Sequence, residues 1–226
     1  MLKRIIKKVK SVLYKRKFQN QSTKDVFTSI FETNYWGDRD SVSGEGSNLE
    51  QTKHLRSELI NILNQYHIKS ILDIPCGDFH WMSRLDLKDV KYVGGDIVDS
   101  LIDTNRKNYS TDQKSFKVLD IIEDKLPTVD IVFVRDCLVH LSDENIKKAF
   151  QNIKKSESKY LLTTSFIKQV GNKDIITGDW RPINLQLAPY NLPKPIATID
   201  EKSSESGGKF ADKSLLLWLI KDLPDS

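Results

Sequence analysis

Cysteine is scarce in this chain of 226 residues, and long hydrophobic runs are missing. The two cysteines, Cys76 and Cys137, form no Cys-x-x-Cys pair, and no secretory signal is recognisable, so we expect free thiols in a reducing, cytoplasmic compartment. No stretch approaches the roughly 20 apolar residues that a membrane-spanning helix needs. With 38% hydrophobic and 29% charged residues, the composition favours one large globular domain.

Acidic residues are missing from residues 1–17, which hold eight of the 35 Lys and Arg side chains. The rest of the chain has 27 Lys and Arg against 31 Asp and Glu, so a basic groove for nucleic acid is not expected there. We therefore divide the chain into a basic tail, residues 1–20, and one domain, residues 21–226.

The basic tail has an amphipathic pattern, because six apolar side chains share one helical face and lysines surround it: Leu2, Ile5, Ile6, Val9, Val12 and Leu13. This pattern predicts a helix that lies on the anionic inner face of a membrane. Two other interpretations stay open at this point. The tail is a solvated segment, or it packs on a second copy of the chain in a homo-oligomer.

Short β-branched runs alternate with helical patterns through the middle of the chain, which predicts a parallel sheet with crossover helices. Residues 25–46 are polar and turn-rich and are expected to form a loop. The predicted strands are 70–74, 91–95, 115–119, 130–134 and 159–164, followed by two more within 195–202 and 214–223. The predicted helices are 49–66, 79–86, 99–108 and 143–155.

An aspartate lies at the end of each of the first three predicted strands: Asp73, Asp96 and Asp120. Ligands of open α/β sheets bind at the carboxyl ends of the strands. The interval from Asp73 to Asp96 is close to the roughly 20 residues between a nucleotide-binding loop and its ribose-binding acid. Any one of these acids could instead cap a turn. The presence of all three, one at the end of each consecutive strand, favours a nucleotide-like ligand.

Four segments of the chain, within about residues 55–165, resemble the ordered motifs of class I S-adenosylmethionine-dependent methyltransferases: ILDIPCGDF (71–79), YVGGDI (92–97), FKVLDII (116–122) and VDIVFVRDCLVHL (129–141). The resemblance implies a Rossmann-like α/β fold, with a mostly parallel seven-stranded sheet that ends in an antiparallel hairpin. It also implies S-adenosylmethionine as cofactor and S-adenosylhomocysteine as product. The chain departs from the family pattern at Pro75, where the family usually has glycine.

Carried over to this sequence, the resemblance implies the cofactor-binding residues. The loop after the first strand would bind the methionine part, Asp96 and Ile97 the ribose, and Asp120 and Ile121 the adenine. Arg135 would face the methionine carboxylate. The loop residues are Asp73, Pro75, Cys76, Gly77 and Asp78.

His140 and Asp136 are the candidate catalytic bases, because they lie four residues apart at the predicted end of the fourth strand and histidine titrates near neutral pH. The alternative for His140 is that it only orders the following helix. The sequence shows no clustered metal-ligand spacing, so no metal is expected.

A long polar and aromatic loop, residues 171–195, and the segment 34–52 are expected to contact the methyl acceptor. Aromatic faces beside Arg, Asn and Gln donors suit a sugar or an anionic polyol. The alternative is a loop that covers a sheet edge, with Trp180 in the core. The candidate acceptor-binding residues are Trp36, Trp180, Arg181, Asn184 and Tyr190.

These patterns favour O-methylation of a sugar in a surface glycan, or in its nucleotide- or lipid-linked precursor. Arg135-Asp136-Cys137-Leu138 stands where DNA base methyltransferases of this class carry an Asn/Asp-Pro-Pro-aromatic motif, which disfavours that activity. Two alternatives remain: an inactive methyltransferase-like scaffold, and an RNA methyltransferase whose tail binds phosphates.

Overall fold

A computed structural model describes residues 18–37 and 39–224. Residues 1–17 lie outside this range, so the predicted amphipathic helix of the tail stays a prediction. No helix within the described ranges is both long and apolar enough to cross a membrane.

The described residues form one seven-stranded sheet with the order β3-β2-β1-β4-β5-β7-β6. Strands β1 to β5 are parallel, and β7 runs antiparallel to both β5 and β6. This architecture confirms the predicted fold class and its closing antiparallel pair. The strands are β1 (Ser70–Asp73), β2 (Lys91–Asp96), β3 (Lys114–Val118), β4 (Ile131–Val134), β5 (Tyr160–Phe166), β6 (Ala197–Asp200) and β7 (Lys213–Leu219).

Within residues 18–37 and 39–224, four helices of at least ten residues accompany the sheet: α1 (Thr23–Glu32), α2 (Lys53–Gln65), α3 (Asp99–Tyr109) and α4 (Asp143–Lys155). The start of α4 is well specified, because the hydroxyl of Ser142 accepts a hydrogen bond from the backbone N–H of Asn145. Acidic residues in its first turn and lysines in its last turn complement the helix dipole.

The central strands are buried on both faces, as parallel strands between helices usually are. All four residues of β4 and all seven of β5 are buried. Leu72 and Leu161 pack with the apolar face of α4 on one side of the sheet. Ile71 and Leu162 pack with α2 and α3 on the other side. This double burial holds the strand ends rigid, and the candidate site lies there.

Two predictions of secondary structure were wrong. Residues 79–86 form no regular helix, because Phe79 has a left-handed backbone (φ 56°) and only Met82–Arg84 makes a 3-10 turn. Residues 25–46 are not all loop, since α1 begins at Thr23 and continues to Glu32. Val26 and Ile30, one helical turn apart, pack together with Phe18.

Helix α1 lies against loop 171–195 at Gly178. A Cβ atom at Gly178 would lie 2.5 Å from Cγ1 of Val26, and the residue has φ of +98°. Its backbone N–H donates to the carbonyl of His140 at 2.8 Å. Only glycine therefore allows α1 to pack this closely over the strand ends.

We predict that Gly178→Ala lowers the free energy of unfolding by about 1–3 kcal/mol, because the added methyl group overlaps Val26 and the backbone conformation disfavours a side chain. Urea denaturation measures this change. Gly171→Ala is the matched control, since a Cβ there meets no atom within 4 Å. Equal stability losses in the two variants would contradict the packing argument.

Candidate functional site

A pocket opens at the carboxyl ends of β1, β2 and β4, where the strand order reverses on either side of β1. Open α/β sheets bind ligands at such a switch point. We call it the strand-end pocket. It brings together all the predicted cofactor-binding and catalytic residues together with Trp36: Asp73, Pro75, Cys76, Gly77, Asp78, Asp96, Ile97, Asp120, Ile121, Arg135, Asp136 and His140.

The loop after β1 presents its backbone to the pocket at Gly77, which has a left-handed conformation (φ 54°). Asn105 of α3 holds this loop, because its side-chain amide donates to the Gly77 carbonyl at 2.7 Å. Sequence analysis missed Asn105, since an isolated polar residue in a helix carries no distinctive signal.

Asp78 joins this loop to the N-terminal segment. Its carboxylate accepts hydrogen bonds from the hydroxyl of Ser41 at 2.8 Å and from the backbone N–H of Val42 at 3.1 Å. The hydroxyl of Ser43 in turn accepts from the N–H of Asp78 at 3.2 Å. Asp78 thus holds residues 41–43 against the loop after β1. Its predicted contact with a cofactor stays a prediction.

Asp96 ends β2 and is 6% exposed. One carboxylate oxygen accepts from the N–H of Gly77 at 3.2 Å and the other from the N–H of Val98 at 3.1 Å. Burial raises the pKa of Asp96 to about 6, although these backbone donors oppose the shift. The carboxylate is therefore oriented by backbone groups and lines the pocket.

Asp73 is buried more deeply and accepts a hydrogen bond from the hydroxyl of Tyr92 at 2.6 Å. Burial raises its pKa to about 7, and the charge of Asp96 adds to this shift while the Tyr92 hydrogen bond opposes it. Two carboxylates thus share one weakly solvated wall of the pocket.

Asp120 follows β3, and its carboxylate accepts from the N–H of Ile122 at 2.8 Å. Partial burial raises its pKa. The thiol of Cys76 is also buried, and burial raises its pKa well above the ordinary value. A protonated, inaccessible thiol of this kind is poorly nucleophilic, so Cys76 contributes packing to the pocket wall.

Arg135 is buried, and its guanidinium donates to Glu201 (Nη2 to Oε2, 2.6 Å) and to the carbonyl of Gly46 (2.8 Å). The guanidinium also lies over the ring of Trp81, 5.4 Å from its centroid. In this structure Arg135 pairs most closely with the carboxylate of Glu201, and its Nη1 also lies 3.5 Å from the carboxylate of Asp136. Sequence analysis could not find Glu201, because it lies 66 residues away.

Asp136 has a left-handed backbone (φ 53°) and lies 2.5 Å from the ammonium of Lys213. Lys213 also lies 2.9 Å from Glu205 and 3.7 Å from Glu201. Burial would raise the pKa of Asp136, but Lys213 and Arg135 hold it below its ordinary value. We call these five residues the buried ion cluster: Arg135, Asp136, Glu201, Glu205 and Lys213.

His140 is 8% exposed, and its Nδ1 lies 2.9 Å from the carbonyl oxygen of Asp179. A carbonyl only accepts hydrogen bonds, so Nδ1 carries the proton and Nε2 keeps its lone pair. The ring stacks at a tilt on Trp36, with centroids 5.0 Å apart. Burial lowers the pKa of His140, so the ring is neutral near pH 7.

A second pocket adjoins the first, and the two share Trp36, Ser43, Asp136 and His140. We call it the side pocket. Its other walls come from the 3-10 turn Glu45–Ser47, from three aromatic rings and from the β6–β7 connection: Gly44, Glu45, Gly46, Phe166, Trp180, Glu205, Ser206, Phe210 and Lys213. His140 and Asp136 therefore line both pockets.

Loop 171–195 contributes less to the pockets than predicted. Trp180 lines the side pocket, but Arg181, Asn184 and Tyr190 line neither pocket and are buried within the loop. Arg181 and Tyr190 both bond to the Asp143 carboxylate, at 2.9 and 2.5 Å, and the Asn184 amide donates to the carbonyl of Gln169. These three side chains satisfy buried polar groups of the loop itself, which has little regular structure. Their expected role in binding the acceptor stays a prediction.

No group of three His, Cys, Asp or Glu side chains within residues 18–37 and 39–224 is arranged to hold a metal ion.

The strand order is that of a Rossmann-like α/β fold, with a mostly parallel seven-stranded sheet and a closing antiparallel pair. Two crystal structures of the N-methyltransferase NodS from Bradyrhizobium japonicum WM9 share it. One has a TM-score of 0.54 and 15% identity, over 77% of this chain and 98% of that one. The other, a complex with S-adenosylhomocysteine, has a TM-score of 0.51 and 16% identity, over 62% and 72%. No protein-family model and no curated protein matches the chain.

We predict that Asp73→Asn removes part of the pH dependence of stability. The pKa of Asp73 rises from 3.8 to about 7 on folding, so folding favours the protonated carboxyl, and the wild type loses this stabilisation as pH rises through that range. The variant should lack that loss, which amounts to at most about 4 kcal/mol.

Urea titrations at pH 4, 6 and 8 would measure this effect. Asparagine keeps an oxygen that can accept from Tyr92, which limits other damage. Asp112→Asn, at an exposed position, is the control. If the pH profile of Asp73→Asn parallels that of the wild type, Asp73 is not the titrating group.

Proposed function

We propose that the protein is an S-adenosylmethionine-dependent methyltransferase. The observation that carries this proposal is the convergence of Asp96, Asp120 and the Gly77 loop on one pocket that also contains His140. The fold shared with NodS, one of whose structures is a complex with S-adenosylhomocysteine, supports the same conclusion.

The residues of the strand-end pocket fit this cofactor. The carboxylate of Asp96 accepts hydrogen bonds from the backbone N–H groups of Gly77 and Val98. Its remaining lone pairs can accept hydrogen bonds from ribose hydroxyls. Asp120 and Ile121 would hold the adenine, and the loop from Asp73 to Gly77 would hold the methionine part. When bound, S-adenosylmethionine supplies an electrophilic methyl group, and the broken carbon–sulfur bond leaves its electron pair on sulfur.

The chain itself contributes positioning and a proton acceptor. His140 presents the lone pair of Nε2 while Asp179 fixes the tautomer through Nδ1. Trp36 packs on the ring and limits its rotation. Asp136 is the other candidate base, but it is engaged by Lys213 at 2.5 Å. We therefore assign the proton acceptor to His140 and an electrostatic role to Asp136.

Transfer to a sugar of a surface glycan or its precursor is the hypothesis that the sequence favours, and it stays a prediction. The side pocket supports an acceptor with both polar groups and an apolar face, because charged side chains and aromatic rings line it together. The intact set of strand-end acids and the oriented His140 favour an enzyme over an inactive scaffold. The acids around both pockets disfavour RNA, whose phosphates would be repelled.

A cytoplasmic location, contact of residues 1–17 with an anionic membrane and a homo-oligomeric state also stay predictions. The eight basic residues of that segment support the membrane hypothesis.

We predict that S-adenosylhomocysteine binds the wild type with micromolar affinity and binds Asp96→Asn at least tenfold more weakly, because the amide accepts ribose hydroxyls less strongly than a carboxylate. Isothermal titration calorimetry measures both affinities. Asp103→Asn, on the exposed side of α3, should bind like the wild type. A wild type that binds neither S-adenosylmethionine nor S-adenosylhomocysteine would remove the enzyme proposal.

We predict that His140→Asn lowers turnover by about 10²- to 10⁴-fold, the usual contribution of a general base. The Asn side-chain amide can still donate to the Asp179 carbonyl, so the fold and S-adenosylhomocysteine affinity should change by less than threefold. Steady-state turnover with an accepted substrate tests this, with calorimetry as the control. Turnover within a few-fold of the wild type would show that His140 is not the proton acceptor.

A further inference from the structure

The charges around the side pocket do not cancel. Three carboxylates line it, those of Glu45, Asp136 and Glu205, against one cation, Lys213. Behind the wall, Arg135 lies 2.6 Å from Glu201 and 3.5 Å from Asp136, and Lys209 lies over the ring of Phe210, 5.0 Å from its centroid. With these groups included, the carboxylates still outnumber the cations, four to three. Lys213 and Arg135 hold the pKa of Asp136 below its ordinary value and so keep this carboxylate charged, although burial opposes them. A negatively charged group entering this pocket would be repelled, and a positively charged one attracted.

Aromatic rings form another part of the lining of the side pocket. Trp180 keeps 39% of its surface exposed and lies edge-to-face with Phe210, at a centroid distance of 4.7 Å. Phe166 completes this cluster, 6.0 Å from Trp180. Trp36 also lines the pocket and stacks at a tilt on His140. Aromatic faces attract cations, and Trp does so most strongly.

His140 supplies the third feature. Its ring is buried and lines both pockets, and among the described residues no hydrogen-bond partner reaches Nε2. A neutral imidazole can take a proton from an ammonium group, whose pKa is about 10.4 in lysine. It is far less able to take one from a hydroxyl, because the pKa of water is about 15.7.

We propose that the side pocket binds a cationic amine and that the methyl acceptor is its nitrogen. The inference rests on the proposed methyltransferase function and changes the acceptor atom expected from the sequence from oxygen to nitrogen. Glu205 and Asp136 attract the ammonium, and Trp180 and Trp36 flank it. The N–H bond of the ammonium breaks, its electron pair stays on nitrogen as the nucleophilic lone pair, and the proton joins Nε2 of His140. With S-adenosylmethionine bound, this lone pair would form the new nitrogen–carbon bond while the carbon–sulfur bond breaks and leaves its electron pair on sulfur.

Glu205 contributes to the preference for a cation, because its carboxylate lines the side pocket. It belongs to the β6–β7 connection. Its Oε2 lies 2.9 Å from Lys213 and accepts from the hydroxyl of Ser203 at 3.0 Å. A Cβ atom at Gly46 would lie 2.8 Å from its Oε1. Gly46 therefore leaves the space that lets Glu205 approach the pocket floor.

Three probes with one skeleton test the proposal: benzylamine, benzyl alcohol and benzoate, which are cationic, neutral and anionic at pH 7. Calorimetric titration of the full-length protein, with and without saturating S-adenosylhomocysteine, gives their affinities. We expect benzylamine to bind at least tenfold more tightly than benzyl alcohol, and benzoate to bind most weakly. Equal affinities, a reversed order, or no binding of benzylamine at millimolar concentration would overturn the proposal.

Two variants locate the effect. Glu205→Gln should reduce the preference for benzylamine over benzyl alcohol to about threefold or less. The control is Glu144→Gln, which removes the same charge from the exposed side of α4 and should keep the wild-type preference. Equal losses in both variants would mean that the preference reflects net charge and not this pocket, which would also overturn the proposal.

If Glu205→Gln does not fold, Trp180→Ala tests the same pocket. Trp180 is partly exposed and lies outside the buried ion cluster, so its replacement should leave the fold intact. Trp180→Ala should weaken benzylamine binding several-fold more than benzoate binding, and equal weakening would count against the amine. S-adenosylhomocysteine binding without a preference for benzylamine would refute this inference alone. A preference for benzylamine without S-adenosylhomocysteine binding would preserve the cation site and remove the methyltransferase function.

Discussion

The side chain of Lys213 is 2% exposed, its ammonium lies within 4 Å of three carboxylates, and the lining of the side pocket depends on these contacts. Lys213 begins β7, Asp136 follows β4, and Glu201 and Glu205 belong to the β6–β7 connection. Removing a fully buried member such as Glu201, which is 1% exposed, typically costs about 3–5 kcal/mol, because an unpaired charge stays buried. The cluster therefore holds the antiparallel hairpin against the parallel part of the sheet.

Arg135 extends this network to the N-terminal segment through the carbonyl of Gly46. On the other side of the strand-end pocket, Asp78 bonds to Ser41 and Val42. The residues between α1 and α2 are thus held at two points, and Trp36 and Ser43 become walls of both pockets. Neither point needs regular secondary structure, because charged and backbone hydrogen bonds fix the segment directly.

The carboxylates of the two pockets have pKa values shifted in opposite directions. In the strand-end pocket burial raises the pKa of Asp73 and Asp96, whose few donors only partly offset the loss of water. In the side pocket, Lys213 and Arg135 keep Asp136 charged. His140 lies on the wall between them and is neutral because burial disfavours its cation. The boundary between the compartments thus presents a proton acceptor beside a fixed negative charge.

The sequence by itself determined the parallel sheet, its switch-point loop and the acids at the strand ends. Each depends on local period, turn residues and spacing along one stretch of chain, as with Asp73, Asp96 and Asp120. Only the tertiary structure decided which side chains meet across long separations. Arg135 meets Glu201, Asp136 meets Lys213, and Arg181 and Tyr190 both bond to Asp143. The sequence gives the charge of each residue, but the partner of that charge depends on how distant parts of the chain fold together. The partner decides whether the charge is neutralised or faces a ligand.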